Sequence, residues 1–319
     1  MKSFKNILVV AGANAAQKQA LLRPAVELAA PTGGVVTLLE LDTRSGSSRS
    51  SRRITDGGLP YGPLHRLYDP GPDLRRLGVP VHHEIAVGVP HLEIRERIAV
   101  YGHDLVMMHG DSDLGRPGIS GRSTVTRVLR GSSVPVWIHP HQGRTKGPIA
   151  VAVGPRDTDD PDDHLSGKLV AIGASLARSQ QRDLHVIHAW RLDGETLMRS
   201  RRLNYEIADV GRMGHKAKSE ATARVEELLA DAHVMGIDTR VHVEKGHVGD
   251  VVDSLSDSIE PAVLIMGTIA RQGIQGLLVG NTVERVARRT QSPVLAVKPD
   301  GFVSPRMSVE DWTPQALPY

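Results

Sequence analysis

Leu105–Met108 (LVMM) and Val263–Met266 (VLIM) decide the fold, because they are one stretch written twice. Each is a short, wholly apolar run, as expected of a strand buried on both faces of a parallel sheet. Moving outward, the match holds at a constant spacing of 158 residues, the distance from Leu105 to Val263. Gly78–Val79 stands against Gly236–Ile237, and Gly88 against Gly246. Thr124–Val128 (TVTRV) stands against Thr282–Val286 (TVERV), and Pro135–Val136 against Pro293–Val294. Towards the amino ends the spacing falls to 142, with Ile7–Gly12 (ILVVAG) against Ile149–Gly154 (IAVAVG). The second copy therefore carries 16 extra residues in its middle, the difference between those spacings. Self-similarity at this scale reads as a duplicated domain. The first copy is placed at 1–141, the second at 147–300 and a C-terminal tail at 301–319.

Each copy alternates strand and helix. The first predicts strands at Asn6–Ala11, Val35–Leu41, Val81–Ile85, Leu105–His109 and Val134–His139. Its helices are expected at Ala15–Ala30, Pro90–Tyr101 and Thr124–Arg130, with Pro90 suited to a first helical turn. The second predicts strands at Ile149–Val153, Leu184–Ala189, Thr239–Glu244, Val263–Gly267 and Val294–Lys298. Its helices are expected at Asp163–Arg178, Lys216–Met235, Val248–Ile259 and Val279–Arg289. The fold class is α/β: two tandem domains, each an open five-stranded parallel sheet with helices on both faces. The stretch from Arg44 to Pro72, which begins RSGSSRSSRR, cannot build a core and reads as a loop. The tail after Asp300 is expected to pack loosely.

Composition narrows the function. The 319 residues are 40% hydrophobic and 24% charged, so the chain is globular. Its net charge of +3 and 3% aromatic content argue against a nucleic-acid partner. No cysteine is present, which removes disulfides, thiolate metal sites and cysteine nucleophiles. No apolar run is long enough to span a membrane. Met1–Gln17 has the outline of a minimal signal peptide. The repeat makes the same segment a core strand, so the chain is read as cytoplasmic.

Ligands of open parallel sheets bind beyond the carboxyl ends of the strands. The segment that follows Val263–Gly267 is rich in glycine: Gly267, Gly273, Gly276 and Gly280 precede the helix that opens near Asn281. Glycines let the backbone approach an anion, and successive N–H groups then face it. Thr268, Asn281 and Thr282 add hydrogen-bonding groups, and Arg271 a charge. A glycine-rich turn that merely reverses the chain is the competing reading. No Gly-Lys-Ser/Thr occurs, so this is not a P-loop.

Here the second copy resembles a universal stress protein domain. Nucleotide-binding members carry Gly, two residues, Gly, nine residues, Gly, then Ser or Thr. Gly267 and Gly280 fill the outer glycine positions, and Thr282–Arg285 (TVER) and Ser292–Val297 (SPVLAV) are similar to the family's ending. The duplication, Val243–Gly246 (VEKG) and Gly280–Thr282 (GNT) most resemble the tandem E-type branch. The resemblance implies an adenine nucleotide alpha hydrolase-like fold, and two copies that replace a homodimer by pairing their last strands. It also implies a stress-response role as a ligand-binding and signalling module rather than an enzyme, with no catalytic and no metal residues. ATP, with Mg²⁺ only if ATP binds, is its candidate ligand in the second copy. The cofactor-binding candidates are Gly154, Gly267, Thr268, Ala270, Arg271, Gly273, Gly280, Asn281 and Thr282.

Three residues depart from the motif. Ala270 replaces its second glycine, and Asn281 its Ser or Thr. Gly154 stands where nucleotide-binding relatives carry Asp. In the first copy His109, Ser112 and Arg122 face Gly267, Ala270 and Gly280, so no nucleotide is expected there. A small, partly apolar ligand is the alternative in the second copy. A nucleotide hydrolase or transferase using Asp157–Asp163 is the weaker one, because those carboxylates also suit a helix cap. Of the fifteen histidines, His82 and His83 are neighbours on a strand and point to opposite faces. His109 and His139 end adjacent strands, and read better as polar edge residues than as a zinc pair. The partners expected are a small molecule and the other half of the chain, with a further homodimer left open.

Overall fold

The computed structural model describes residues 4–12, 14–42, 66–110, 123–140, 143–144, 146–154, 164–192, 207–232, 234–268 and 281–302. In the first half the strands are β1 (Asn6–Ala11), β2 (Val35–Asp42), β3 (Arg66–Leu67), β4 (Val81–Val87), β5 (Leu105–His109) and β6 (Val136–His139). Its helices are α1 (Ala15–Ala29), the short α2 (Pro72–Arg75), α3 (Pro90–Tyr101) and α4 (Thr124–Gly131). The second half has β7 (Ile149–Val153), β8 (Leu184–Trp190), β9 (Thr239–Lys245), β10 (Val263–Gly267) and β11 (Val294–Val297). Its helices are α5 (His164–Gln180), α6 (Ile207–Asp231), α7 (Val248–Ile259) and α8 (Asn281–Arg289).

The eleven strands among the described residues join one sheet in the order β3-β4-β2-β1-β5-β6-β11-β10-β7-β8-β9. Each half keeps its parallel five-strand order. The halves meet through β6 and β11, which pair antiparallel with Trp137 opposite Leu295. The expected pairing of the last strands is therefore observed. Helices cover both faces. One core gathers Leu21 and Leu22 of α1, Leu169 of α5 and Val225 of α6 with Trp137 and Leu295. The other gathers Ile94 of α3, Leu129 of α4, Val252 of α7 and Val286 of α8. Both cores hold residues of both halves, so the seam is interior rather than a surface between separate bodies.

Local chemistry sets the helix ends. The Asn14 side chain caps α1 by accepting from the Ala16 and Gln17 amides. Pro90 opens α3, and Gly102 closes it at φ 66°, a conformation glycine adopts without a Cβ clash. Ser123 caps α4 by accepting from the Thr126 amide.

These readings are corrected. The stretch expected as loop from Arg44 to Pro72 contains β3, which adds antiparallel to β4; residues 43–65 lie outside the described residues. The long helix expected at Lys216–Met235 runs from Ile207 to Asp231. Val234, Met235 and Gly236 turn into β9 instead, with the Ile237 amide donating to the Val234 carbonyl. At the start of the tail the Phe302 ring lies 3.8 Å from Lys298 Nζ; residues 303–319 lie outside the described residues.

Candidate functional site

The carboxyl edge of the second half is built where β7 and β10 run side by side, Ala152 against Met266. Gly267 and Gly154 lie just past that pairing, which brings these two candidates together. Gly154 has room: a methyl group there would meet nothing within 4 Å. Gly267 does not, since a methyl would stand 2.8 Å from Leu165 Cδ2 and 3.6 Å from Leu169 Cδ1. Glycine at 267 thus lets the first turn of α5 settle on the end of β10. The chain comes close to a leucine there, and the spacing of glycines in the sequence carried no sign of it.

Thr268 is buried, its amide donating to the Val297 carbonyl at 2.9 Å and its hydroxyl to the same carbonyl at 3.3 Å. Its hydroxyl proton is committed to the sheet, leaving only acceptor capacity for a guest. Asn281 opens α8, and Thr282 follows half-buried in the first turn. Ala270, Arg271, Gly273 and Gly280 lie outside the described residues, as does the Asp157–Asp163 loop. A nucleotide fits this edge in part: Gly154 offers space, while Leu165 occupies the ground above Gly267.

The edge also carries a residue the sequence reading passed over. His188 lies on β8 opposite Val153, the last residue of β7, and its Nδ1 lies 3.1 Å from the Val153 carbonyl oxygen. Burial lowers its pKa, so the ring is neutral near pH 7 and its Nδ1 donates. Two histidines in the apolar run Leu184–Trp190 were the available signal.

The first half presents a different edge. His109 and His139 are partners in register on β5 and β6, with ring centroids 5.6 Å apart and planes at 82°. His109 Nε2 lies 3.0 Å from the Gln17 carbonyl oxygen. Burial, and then the neighbouring His109, push the His139 pKa down to about 4. The buried His109 imidazole therefore stands at the position that Gly267 holds in the second half, with the buried His139 ring beside it. No group of three or more metal-ligating side chains occurs among the described residues. His83 instead pairs with Glu40 at 2.9 Å, next to Lys18. Ser112, Arg122 and His141 lie outside the described residues.

This architecture is a tandem α/β protein: two parallel-sheet units joined at their last strands, with Gly154 and Gly267 at one carboxyl edge and His109 and His139 at the other. The sequence profile of the universal stress protein family matches residues 157–298. Universal stress protein E of Escherichia coli K12 is 25% identical over 96% of this chain and 97% of its own length. The Universal stress protein E homolog of Haemophilus influenzae is 26% identical over 65% of each chain. Among solved structures, a universal stress protein from Archaeoglobus fulgidus DSM 4304 aligns at a TM-score of 0.55 and 18% identity. It covers 92% of this chain and 98% of that one. A functionally unknown protein from Pseudomonas aeruginosa PAO1 aligns at 0.65 and 23%, over 93% of each. The second half of the chain thus matches the universal stress protein family, and nearly the whole chain is similar to its E-type proteins. No helix among the described residues is long and apolar enough to cross a membrane.

Proposed function

We propose that the chain acts in the cytoplasm as a stress-response module that binds a small ligand and signals its presence, without turning it over. The second half is the binding half, and ATP is the ligand favoured by its family motif. The observation that carries this reading is the contrast between the two carboxyl edges. Gly154 is open as its counterpart Gly12 is, and the difference lies on the neighbouring strand, where Gly267 ends β10 but His109, beside His139, ends β5. The domain boundaries 1–141 and 147–300 belong to the same proposal, since each range holds one complete strand set.

Equilibrium binding of labelled ATP, with and without Mg²⁺, tests it. A single site per chain is expected. Gly280→Arg, which copies Arg122 of the first half, should abolish binding and leave the melting temperature in place. Affinity weaker than millimolar would remove ATP as the ligand.

A second reading rests on Leu165. With that side chain against Gly267 and the Thr268 hydroxyl turned to Val297, the edge favours a less polar guest than a triphosphate. Apolar small molecules that raise the melting temperature when ATP does not would decide for it.

A further inference from the structure

The seam between the halves holds a cavity of about 150 Å³ on the α4 and α8 side of the sheet. Gly110, Ser123 and Pro140 line it from the first half, and Glu284, Arg288 and Thr290 from the second. Its apolar wall is Val125, Leu129, Ile138 and Ala287.

The duplication supplies a counterpart to this cavity, and the counterpart is filled. A shift of 158 residues along the chain turns Pro140 into Lys298, and turns Arg288 and Thr290 into Arg130 and Ser132. Lys298 is buried there, and its Nζ donates to the carbonyls of Arg130 at 3.0 Å and Ser132 at 2.7 Å. Those carbonyls lie at the end of α4, where the helix dipole favours a cation. The correspondence is geometric as well as sequential. The Gly110 amide donates to the His139 carbonyl and the Thr268 amide to the Val297 carbonyl, both at 2.9 Å, which is the same bond once in each copy. Helices α4 and α8 also stop at equivalent residues, Gly131 and Arg289.

On the open side Pro140 has no side chain that can reach, so among the described residues the space stays clear. Glu284 adds a carboxylate to the lining, and it already accepts from Arg130 at 3.0 Å. The Arg288 side chain is exposed, where water and salt screen its charge. We propose that the open seam cavity binds a small organic cation through a primary ammonium group, placed as Lys298 Nζ is placed in the filled counterpart. The ammonium meets the backbone at Arg288 and Thr290, at the end of α8. The carbon chain lies along Val125, Leu129 and Ile138. A cavity of this volume is comparable with one that holds benzene, so a short alkylamine fits and a nucleotide does not.

The test is a titration of the full-length ¹⁵N-labelled chain with n-propylammonium chloride. Sodium propionate at the same ionic strength serves as the anion of equal size. Saturable shifts of the Gly110 and Thr290 amide signals are expected with the amine and not with propionate. Pro140→Lys, which tethers an ammonium in the cavity, should lose the response. Lys298→Ala gives an independent readout: it empties the counterpart, so propylammonium should raise its melting temperature more than that of the unaltered chain. The proposal is overturned by saturable binding of propionate in place of the amine, by no saturable response to either, or by an unchanged amine response in folded Pro140→Lys. An equal rise in melting temperature for Lys298→Ala and the unaltered chain overturns it as well.

Discussion

Trp137 and Leu295 face each other across the antiparallel seam, and they are the same position of the repeat. The pseudo-twofold axis therefore runs between them, where an indole and an isobutyl group meet in one core. Both are buried, Trp137 at 4% exposure and Leu295 at 0%. A homodimer would place two identical side chains on this axis. Fusion has allowed the two to diverge into a large and a smaller residue that interdigitate. It also holds the halves at high effective concentration, so the first can lose its ligand site and remain as a packing partner.

Trp137→Ala should cost about 3–5 kcal/mol, the usual range for emptying a buried aromatic site. Because the core is continuous across the seam, chemical denaturation should show both halves weakened in one transition. Loss confined to the first half would contradict a shared core.

Gly267→Ala should destabilise the chain by about 1–3 kcal/mol, since its methyl meets Leu165 Cδ2 at 2.8 Å. Leu165→Ala added to it should cost less than the sum of the two single changes, because each relieves the other's crowding. Strict additivity in a double-mutant cycle would mean that Leu165 is not what glycine accommodates.

Gly154→Asp should leave the melting temperature nearly unchanged, because its Cβ enters open space. If the second half binds ATP, the added carboxylate restores the residue its nucleotide-binding relatives carry, and calorimetry should show tighter binding. Unchanged or weaker binding would place the nucleotide elsewhere.

The stability of the chain should fall in acid partly through His139. Burial, with His109 beside it, lowers the pKa from 6.5 to about 4. Between those values the unfolded chain binds a proton that the folded chain does not. The contribution is therefore complete above pH 6.5 and is lost as pH falls towards 4. His139→Phe should flatten melting temperature against pH in that window, and an unaltered slope would assign the acid sensitivity to other groups.

Lys298 works in the opposite pH range. Burial, and then the charge of Arg95, lower its pKa from 10.5 to about 7. Above pH 7 the folded chain gives up this proton while the unfolded chain keeps it, up to about pH 10.5. Stability attributable to this group should thus rise with pH across that window and stay level below it. Lys298→Met should remove the rise, as followed by urea denaturation at pH 7 and pH 9.5.

The sequence by itself determined the duplication, the α/β class and most of the strands. β1, β5, β7 and β10 occupy the spans their apolar runs indicate, because a strand buried on both faces can be read without knowing its neighbours. β3 was not legible: two residues, Arg66 and Leu67, carry no periodicity, and only pairing with β4 makes them a strand. Where α6 begins and ends was hidden for a related reason, since its polar stretches say little and packing against β8 and β9 fixes the span. Only the tertiary structure decided what the edge residues do. It set Leu165 over Gly267, turned Thr268 to the Val297 carbonyl, put His188 beside Val153 and carried Lys298 across the seam to Arg130 and Ser132. Each of these contacts joins residues far apart in the chain. Strand order and helix placement create them, and neither leaves a mark in local composition or spacing.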